Sequence, residues 1–201
     1  MEGRFLKGRL TGYGQCCYAG GDVYKGLFQG GKRSGKGTMV FSQYNDLIRG
    51  TMESTYEGEW KLNKRNGQGV MTWPDGTTFE GEWLNDERVY GKQTMTDQNE
   101  YTGQFKDDKF HGAGKLSFSR ERLLFEGLFE NGLQSNLGRL TYLRSNTQEV
   151  YIGQIDDNRK HGLGILEDNS GIRYEGEFED DIPVGLGKII YPNGDIYYGH
   201  T

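Results

Sequence analysis

Three pairs of glutamates, each pair separated by one residue, are the first feature of this 201-residue sequence that could support catalysis. The pairs are Glu57/Glu59, Glu80/Glu82 and Glu175/Glu177. Two carboxylates act as general acid and base only when they share one pocket that separates their pKa values. Because these pairs recur along the chain, the pattern indicates a repeated surface feature and not one shared pocket. The sequence therefore predicts no catalytic residue and no enzyme activity.

Glycine pairs of the form Gly-x-Gly could instead cradle a phosphate group with their backbone N–H groups. They are Gly12/Gly14, Gly35/Gly37, Gly67/Gly69, Gly112/Gly114, Gly162/Gly164 and Gly185/Gly187. All of them lack the third glycine and the strand-to-helix transition of a phosphate-binding loop. The sequence therefore predicts strand and turn glycines, and it predicts no cofactor.

The charge balance argues against nucleic acid as a partner. Lys and Arg total 24 and Asp and Glu total 29, which gives a net charge of −5. A mildly acidic chain has no global field that attracts a polyanion. No apolar run reaches the roughly 18 residues of a membrane-spanning helix, and no signal peptide opens the chain. We expect a cytoplasmic protein.

A five-residue pattern, aromatic-x-Gly-x-aromatic, recurs along the whole chain and places these glutamates and glycines in a repeat. Full or trimmed copies begin at residues 1, 24, 56, 79, 101, 125, 151 and 174, with a partial copy at 197. In six copies a Gly-x-Gly pair follows at the same offset. The two exceptions have Tyr90/Lys92 and Asn136/Gly138 at that offset. The sequence predicts one repeat array over residues 1–201.

Each copy has the alternation of two short strands joined by turns. Tyr56, Gly58 and Trp60 share one face because alternate residues of a strand do so, whereas Glu, Lys and Thr occupy the other face. We expect each glycine to leave a gap that a ring covers, with Tyr over Tyr and Trp over Phe in successive hairpins. The predicted fold is all-β: an elongated, twisted antiparallel sheet of consecutive β-hairpins, a solenoid-like rod.

Histidines and cysteines give no convincing metal site. His111 and His161 occupy equivalent positions two copies apart, roughly 19 Å along a sheet, so they cannot share an ion within one chain. Cys16 and Cys17 are adjacent and should point to opposite faces, with Cys16 in a buried apolar column. The absence of a disulfide framework favours a reducing compartment. We predict no metal.

The stretch YEGEWKLNKRNGQG at residues 56–69 closely resembles the MORN (membrane occupation and recognition nexus) repeat. Residues 107–112 and 157–162 match the turn segment of that repeat. The resemblance implies a twisted antiparallel sheet of hairpins. Family members occur in junctional membrane proteins, phosphoinositide kinases, a lysine methyltransferase, cytoskeletal scaffolds and ciliary spoke-head proteins, so the family implies a fold more than a function.

The function predicted first is a non-enzymatic scaffold in a cytoskeletal or ciliary (axonemal) assembly. Its partners would be other proteins, through an amphipathic helix or an extended segment. Self-association through the sheet ends or edges is a second route. The candidate docking aromatics are Tyr24, Tyr56, Trp60, Phe79, Trp83 and Tyr101.

Two alternatives remain open at this point. The first is peripheral attachment to anionic phospholipid through basic residues that project from equivalent turns, although neighbouring aspartates weaken their field. These residues are Lys32, Arg33, Lys64, Arg65, Lys109, Arg159 and Lys160. The second alternative is the regulatory repeat region of a larger enzyme.

Three copies depart from the pattern. Segment 42–55 is an insertion in which Ile48-x-Gly50-x-Met52 predicts an extra strand that could protrude. The copy that starts at Phe79 lacks Gly-x-Gly and has polar residues at the apolar columns, which predicts a weak or bent spot. Those polar residues are Lys92, Thr94 and Thr96. The copy that starts at Phe125 has residues 135–137 in place of the usual turn. Segments 42–55 and 88–100 are further candidate contact regions.

Overall fold

The computed structural model describes residues 1–45, 50–143 and 147–201, and these residues form only strands and turns. No helix long and apolar enough to cross a membrane occurs among them. In chain order the strands are β1 (Glu2–Leu6), β2 (Arg9–Cys17), β3 (Val23–Gln29), β4 (Lys32–Asn45), β5 (Gly50–Lys61), β6 (Lys64–Thr72), β7 (Thr78–Leu84), β8 (Glu87–Thr94), β9 (Glu100–Lys106), β10 (Lys109–Phe118), β11 (Leu123–Glu130), β12 (Leu133–Leu143), β13 (Gln148–Asp156), β14 (Arg159–Glu167), β15 (Arg173–Glu179), β16 (Ile182–Ile190) and β17 (Ile196–His200).

The chain divides into two compact units. Unit 1 comprises Met1–Asp97 with Gln104–Asp108, and unit 2 comprises Gln98–Gly103 with Lys109–Thr201. In unit 1 each strand from β1 to β8 pairs antiparallel with the next. In unit 2 the same holds from β10 to β17. The predicted all-β fold of consecutive antiparallel hairpins is confirmed, whereas the single array over 1–201 stays a prediction.

Tight two-residue turns join the strands within the hairpins. In one of them Leu62 and Asn63 have φ values of 52° and 74°, and in the next Asn85 and Asp86 have φ values of 54° and 79°. Two successive positive φ angles define the turn whose twist matches that of antiparallel strands, and Asn, Asp and Gly tolerate it best. The Asn, Asp and Gly residues at these turns therefore set the hairpin geometry.

The copy that starts at Phe79 keeps the hairpin but with one residue fewer at its bulge. In the preceding hairpin Gly58 pairs with Gly69 and Trp60 with Arg65. In this hairpin Gly81 pairs with Gly91, which comes one residue early, and Gln93 lies opposite Phe79. The apolar column therefore contains Gln93, and the assignment of Lys92, Thr94 and Thr96 to it was wrong by one residue.

The copy that starts at Phe125 also keeps its turn. Asn131 and Gly132 form it with φ values of 54° and 89°. Residues 135–137 lie within β12, and Gly138 pairs with Gly127. The expectation that residues 135–137 replace a turn is therefore wrong. They form the bulged part of a strand, where a missing glycine is tolerated.

The insertion at 42–55 lengthens one hairpin. Strands β4 and β5 stay paired as far as Asn45 and Gly50, and Met52 pairs with Gln43. Ile48 lies outside the described residues. The predicted extra strand at Gly50 and Met52 is thus the start of β5.

Aromatic side chains form the core on one face of each unit, here called the aromatic face. In unit 1 Trp60 meets Tyr24 and Tyr56 edge to face, with ring centroids 5.4 Å and 5.1 Å away. Trp83 lies in the same way between Tyr56 and Phe79, at 5.4 Å and 5.2 Å. The rings thus alternate edge to face, as their quadrupoles favour, and the expected stacking of Tyr over Tyr is wrong.

Burial of these rings also keeps their hydroxyl groups neutral. It raises the pKa of Tyr24, Tyr56 and Tyr151 to about 12, because a phenolate would lose its hydration. The neutral Tyr56 Oη donates a hydrogen bond to the carbonyl oxygen of Glu59 at 3.0 Å. Each tyrosine therefore fills the core without leaving a buried charge.

Candidate functional site

The six aromatics predicted as docking residues are core residues. Their side chains are between 0% and 4% exposed. They are Tyr24, Tyr56, Trp60, Phe79, Trp83 and Tyr101. The structure therefore corrects their assignment: each ring contacts other rings of the core and is not available as a docking surface.

The seven basic residues predicted at turns are instead the first residues of strands β4, β6, β10 and β14. Three of them lie against aromatic rings of the core face. Arg33 lies 4.3 Å above the Trp60 ring, Arg65 4.2 Å above Trp83 and Lys160 4.4 Å above Tyr142. The other four, Lys32, Lys64, Lys109 and Arg159, are exposed. The prediction that these basic residues project from the turns is therefore wrong for Arg33, Arg65 and Lys160. Lipid binding stays a prediction.

A contact between successive hairpins, here called the turn clamp, explains why these cations turn inward. Asp86 Oδ1 accepts a hydrogen bond from the Arg65 backbone N–H at 2.8 Å, and the Arg65 guanidinium donates to the Asp86 carbonyl at 2.9 Å. The Asp86 N–H donates in turn to the Arg65 carbonyl at 3.0 Å. The side chain and backbone of one turn residue thus hold the preceding hairpin.

The turn clamp recurs with small changes. It joins Arg33 to Asn63, Arg88 to Asp108 and Lys160 to Asp181. In each case the clamp joins two hairpins that follow one another in the chain. One partner is the second residue of the strand that completes the earlier hairpin. The other partner is the second residue of the tight turn in the later hairpin. Because each clamp joins neighbours only, it couples the repeats pairwise.

Unit 2 carries exposed apolar side chains on the face opposite its rings, here called the second face. Leu163 lies between Gly162 and Gly164, and Gly164 lies under the Tyr151 ring, so Leu163 points away from the core. Six large side chains of this face are between 53% and 71% exposed. They are Leu128, Leu137, Ile152, Leu163, Leu186 and Tyr198. The expectation that Glu, Lys and Thr occupy the second face is therefore incomplete for unit 2, where these six apolar side chains share the face with charged ones.

Several charged residues beside this apolar row form ion pairs with one another. Glu126 contacts Lys115 at 2.8 Å and Arg139 at 3.8 Å. Glu175 contacts Arg173 at 2.8 Å and Lys188 at 3.3 Å. The row of apolar residues therefore has a polar rim, as many protein-binding surfaces do.

Comparison with known proteins decides the family. Eight segments match the MORN repeat family model, namely residues 2–23, 24–45, 56–78, 79–100, 101–120, 125–142, 151–173 and 174–196. The chain belongs to the MORN repeat family. That family is in general one of non-catalytic repeat modules, and the lack of enzyme activity in this chain stays a prediction.

Relatives that contain similar MORN repeats include much longer proteins. Human alsin is 32% identical over 157 residues, which are 74% of this chain and 9% of alsin. Human ALS2 C-terminal-like protein is 28% identical over 116 residues, 57% of this chain and 10% of that protein. MORN repeat-containing protein 3 of Xenopus laevis is 36% identical over 69 residues, 33% of this chain and 29% of that protein. The chain thus spans about a tenth of the length of alsin.

The apolar row has a simple signal within the MORN repeats that sequence reasoning missed. It is the middle residue of Gly-x-Gly. In unit 1 the hairpins from β2, β4 and β6 have Tyr13, Lys36 and Gln68 at this position. In unit 2 the equivalent residues from β10, β12, β14 and β16 are Ala113, Leu137, Leu163 and Leu186. The difference between the two units becomes visible only when the residues at this one position are compared from hairpin to hairpin.

The remaining sequence candidates show no convergent chemistry. Among the residues described, no three His, Cys, Asp or Glu side chains could hold a metal ion. Cys16 is buried and Cys17 is exposed, as predicted. In unit 2 Tyr142 Oη donates to Asp181 Oδ1 at 3.0 Å while Lys160 Nζ lies 3.4 Å from the same oxygen. Burial and the Asp181 charge raise the pKa of Tyr142, so its proton is retained.

The turn clamp predicts a stability difference between two substitutions of one residue. Asp86→Ala removes the acceptor of Arg65 and places alanine at a φ of 79°, so we expect a loss of roughly 1–2 kcal/mol in free energy of unfolding. Asp86→Asn should cost less than about half of that, because Asn63 serves the Arg33 clamp with the same atoms. Urea unfolding of both variants measures the difference. A loss below about 0.5 kcal/mol for alanine would show that the clamp contributes little. A loss for asparagine as large as that for alanine would show that the neutral acceptor does not replace the aspartate.

Proposed function

We propose that this MORN repeat chain is a non-enzymatic scaffold whose second face in unit 2 binds an amphipathic helix of another protein. One observation carries the proposal: exposed leucines follow one another across unit 2. Leu137, Leu163 and Leu186 lie on β12, β14 and β16, so successive leucines are two strands apart. Contiguous exposed apolar side chains with a polar rim are a mark of interaction surfaces.

The spacing of the leucines matches a helix that crosses the strands. Two strand spacings amount to about 10 Å, and seven residues of an α-helix advance about 10.5 Å. A partner helix with an apolar residue at every seventh position would therefore place one side chain beside each leucine. Burial of one leucine contributes about 1.5–3 kcal/mol, so the three leucines together offset a substantial part of the cost of association.

A cytoskeletal or ciliary assembly is the setting that we propose for this scaffold, on the strength of the resemblance to MORN scaffolds. The second candidate is that these repeats act as a segment of a longer, regulated protein. The match to alsin favours it, since the matching 157 residues are 9% of that protein. Helix binding by unit 2 is compatible with both settings.

Photo-crosslinking in the native cell tests the helix-binding face. A photoreactive phenylalanine analogue at Leu137 should crosslink a partner, and the yield should fall at least about a hundredfold when Leu163→Glu and Leu186→Glu are added. Both leucines are more than two-thirds exposed, so their substitution leaves the fold intact. The matched control places the analogue at Gln68, the equivalent residue of unit 1. Crosslinks that ignore the two glutamates, or that form equally at Gln68, would contradict the proposal.

A further inference from the structure

Among the four turn clamps that contain a cation, the clamp at Arg33 lacks a negative charge. Arg65, Arg88 and Lys160 each form an ion pair with the aspartate of the following turn, at 3.3 Å, 2.9 Å and 3.4 Å. Arg33 faces Asn63 instead, which is neutral. Its guanidinium donates to the Asn63 carbonyl at 2.7 Å, and it forms no ion pair with any residue that the structure describes.

The Arg33 side chain also carries an unsatisfied donor. Its Nε is buried and has no hydrogen-bond partner. In the equivalent clamps the Nε atoms of Arg65 and Arg88 donate to Asp86 and Asp108 at 3.3 Å and 2.9 Å. A buried donor without an acceptor costs about 1–3 kcal/mol, and more when the group is charged. Asn63 Oδ1 already accepts from the Arg33 backbone N–H at 2.8 Å, as Asp86 Oδ1 does from Arg65, so the clamp at Arg33 lacks the negative charge of a carboxylate.

Arg33 lines a pocket of about 440 Å³ on the aromatic face of unit 1. The volume lies within the roughly 300–1,000 Å³ of small-molecule sites. Its walls are mainly apolar and include Phe5, Leu10 and Phe28. Tyr18 also lines this pocket. A ligand here would meet apolar walls and one poorly compensated cation.

The charges around the pocket have one sign. Its lining contains Arg9 and Arg33 and no carboxylate. A second cleft on the aromatic face of unit 1 is lined by Arg65 and Arg88 but also by Asp75 and Asp108, so its charges balance. The pocket at Arg33 therefore attracts an anion more strongly than this cleft does.

We propose that the pocket at Arg33 binds a carboxylate that carries an apolar group. The carboxylate would lie beside the Arg33 guanidinium and supply the negative charge that the aspartates supply in the other clamps. The apolar group would lie against Phe5, Leu10 and Phe28. Charge-assisted hydrogen bonds to guanidinium are roughly twice as strong as neutral ones. Two sources share this chemistry, a fatty acid and the C-terminus of a partner protein that ends in an apolar residue.

Titration calorimetry of the full chain with decanoate, below its micelle-forming concentration, tests the proposal. Decanoate should bind at least about tenfold more tightly than decanol, which has the same chain without the charge. The ¹⁵N–¹H signal of Arg33 Nε should move with decanoate and stay in place with decanol. Equal affinity for the two compounds, or an unmoved Nε signal, overturns the proposal.

Two substitutions change the charge of the pocket and leave its apolar walls unchanged. Asn63→Asp supplies the missing carboxylate within the chain, so it should weaken decanoate binding at least about tenfold while it stabilises the fold. Arg33→Gln should weaken binding to a similar extent. The matched control is Lys32→Gln, the exposed neighbour, which should change the affinity less than about twofold. Asn63→Asp keeps the test decisive if Arg33→Gln does not fold, and unchanged binding to it overturns the proposal.

A second titration identifies the source of the ligand. An N-acetylated tetrapeptide that ends in leucine is compared with its C-terminal amide. Binding of decanoate alone supports a fatty acid, and binding of the peptide acid but not the amide supports a protein C-terminus. Failure of both decanoate and the peptide acid to bind overturns the proposal. Helix binding by the second face of unit 2 is unaffected by either result.

Discussion

The substitution Gly58→Ala is expected to lower the free energy of unfolding by about 3 kcal/mol, since a methyl group there has no space. A Cβ atom at Gly58 would lie 2.5 Å from the Gly69 Cα, 2.5 Å from the Tyr56 Oη and 2.6 Å from the Gln68 carbonyl oxygen. Two of these three atoms belong to the backbone of the paired strand. Relief would therefore require the two strands to separate.

Urea unfolding monitored by circular dichroism measures this loss. The control is Gly20→Ala, because a Cβ atom at Gly20 meets nothing within 4 Å and its φ is not positive. We expect that control to change stability by less than about 0.5 kcal/mol. A cost at Gly58 no greater than that at Gly20 would show that the ring does not pack on the glycine pair.

The substitution Trp83→Ala is expected to cost about 3–5 kcal/mol, the usual range for loss of a large buried aromatic side chain. Trp83 is 2% exposed, and its Nε1 donates to the Gly69 carbonyl at 3.3 Å. It lies edge to face with Tyr56 and Phe79, and the Arg65 guanidinium lies above it. Its removal leaves a cavity and separates two neighbouring hairpins.

Trp83→Phe should recover more than half of the loss, because Phe105 and Phe129 fill the same position in later hairpins. Amide hydrogen exchange shows where the stability is lost. We expect faster exchange in β6 and β7 and little change near Tyr24, since repeats couple to their neighbours. A uniform loss of protection throughout unit 1 would contradict this pairwise coupling.

The sequence predicted best those features that depend only on residues within one repeat. The aromatic-x-Gly-x-aromatic alternation predicted the strands, the buried rings and the role of Gly58, because period-two alternation is a local property. It failed at the copy that starts at Phe79. In that copy one residue is absent from the β-bulge, so the glycine that pairs with Gly81 comes one residue early. Counting residues along the chain cannot distinguish this deletion from the loss of the Gly-x-Gly pair.

The turn clamps and the second face depend on relations between repeats, which a single repeat does not reveal. From the sequence alone Arg65 is predicted to be an exposed cation in a turn. In the structure the positive φ of Asp86 places the Asp86 carboxylate against the preceding strand, where it accepts a hydrogen bond from Arg65. The leucines of unit 2 were missed because averaging over all copies mixed Leu163 with Gln68. Position-by-position comparison along the array would have found them.

The claim that the second face of unit 2 binds a helix is tested most directly by mapping crosslinks on the partner. Photoreactive analogues at Leu137, Leu163 and Leu186 are introduced one at a time, and mass spectrometry identifies the partner residue that each one captures. Captured residues about seven apart on one segment are expected, because seven helical residues span two strands. A spacing of about three residues, as an extended chain requires, or captures scattered over several segments would contradict the claim.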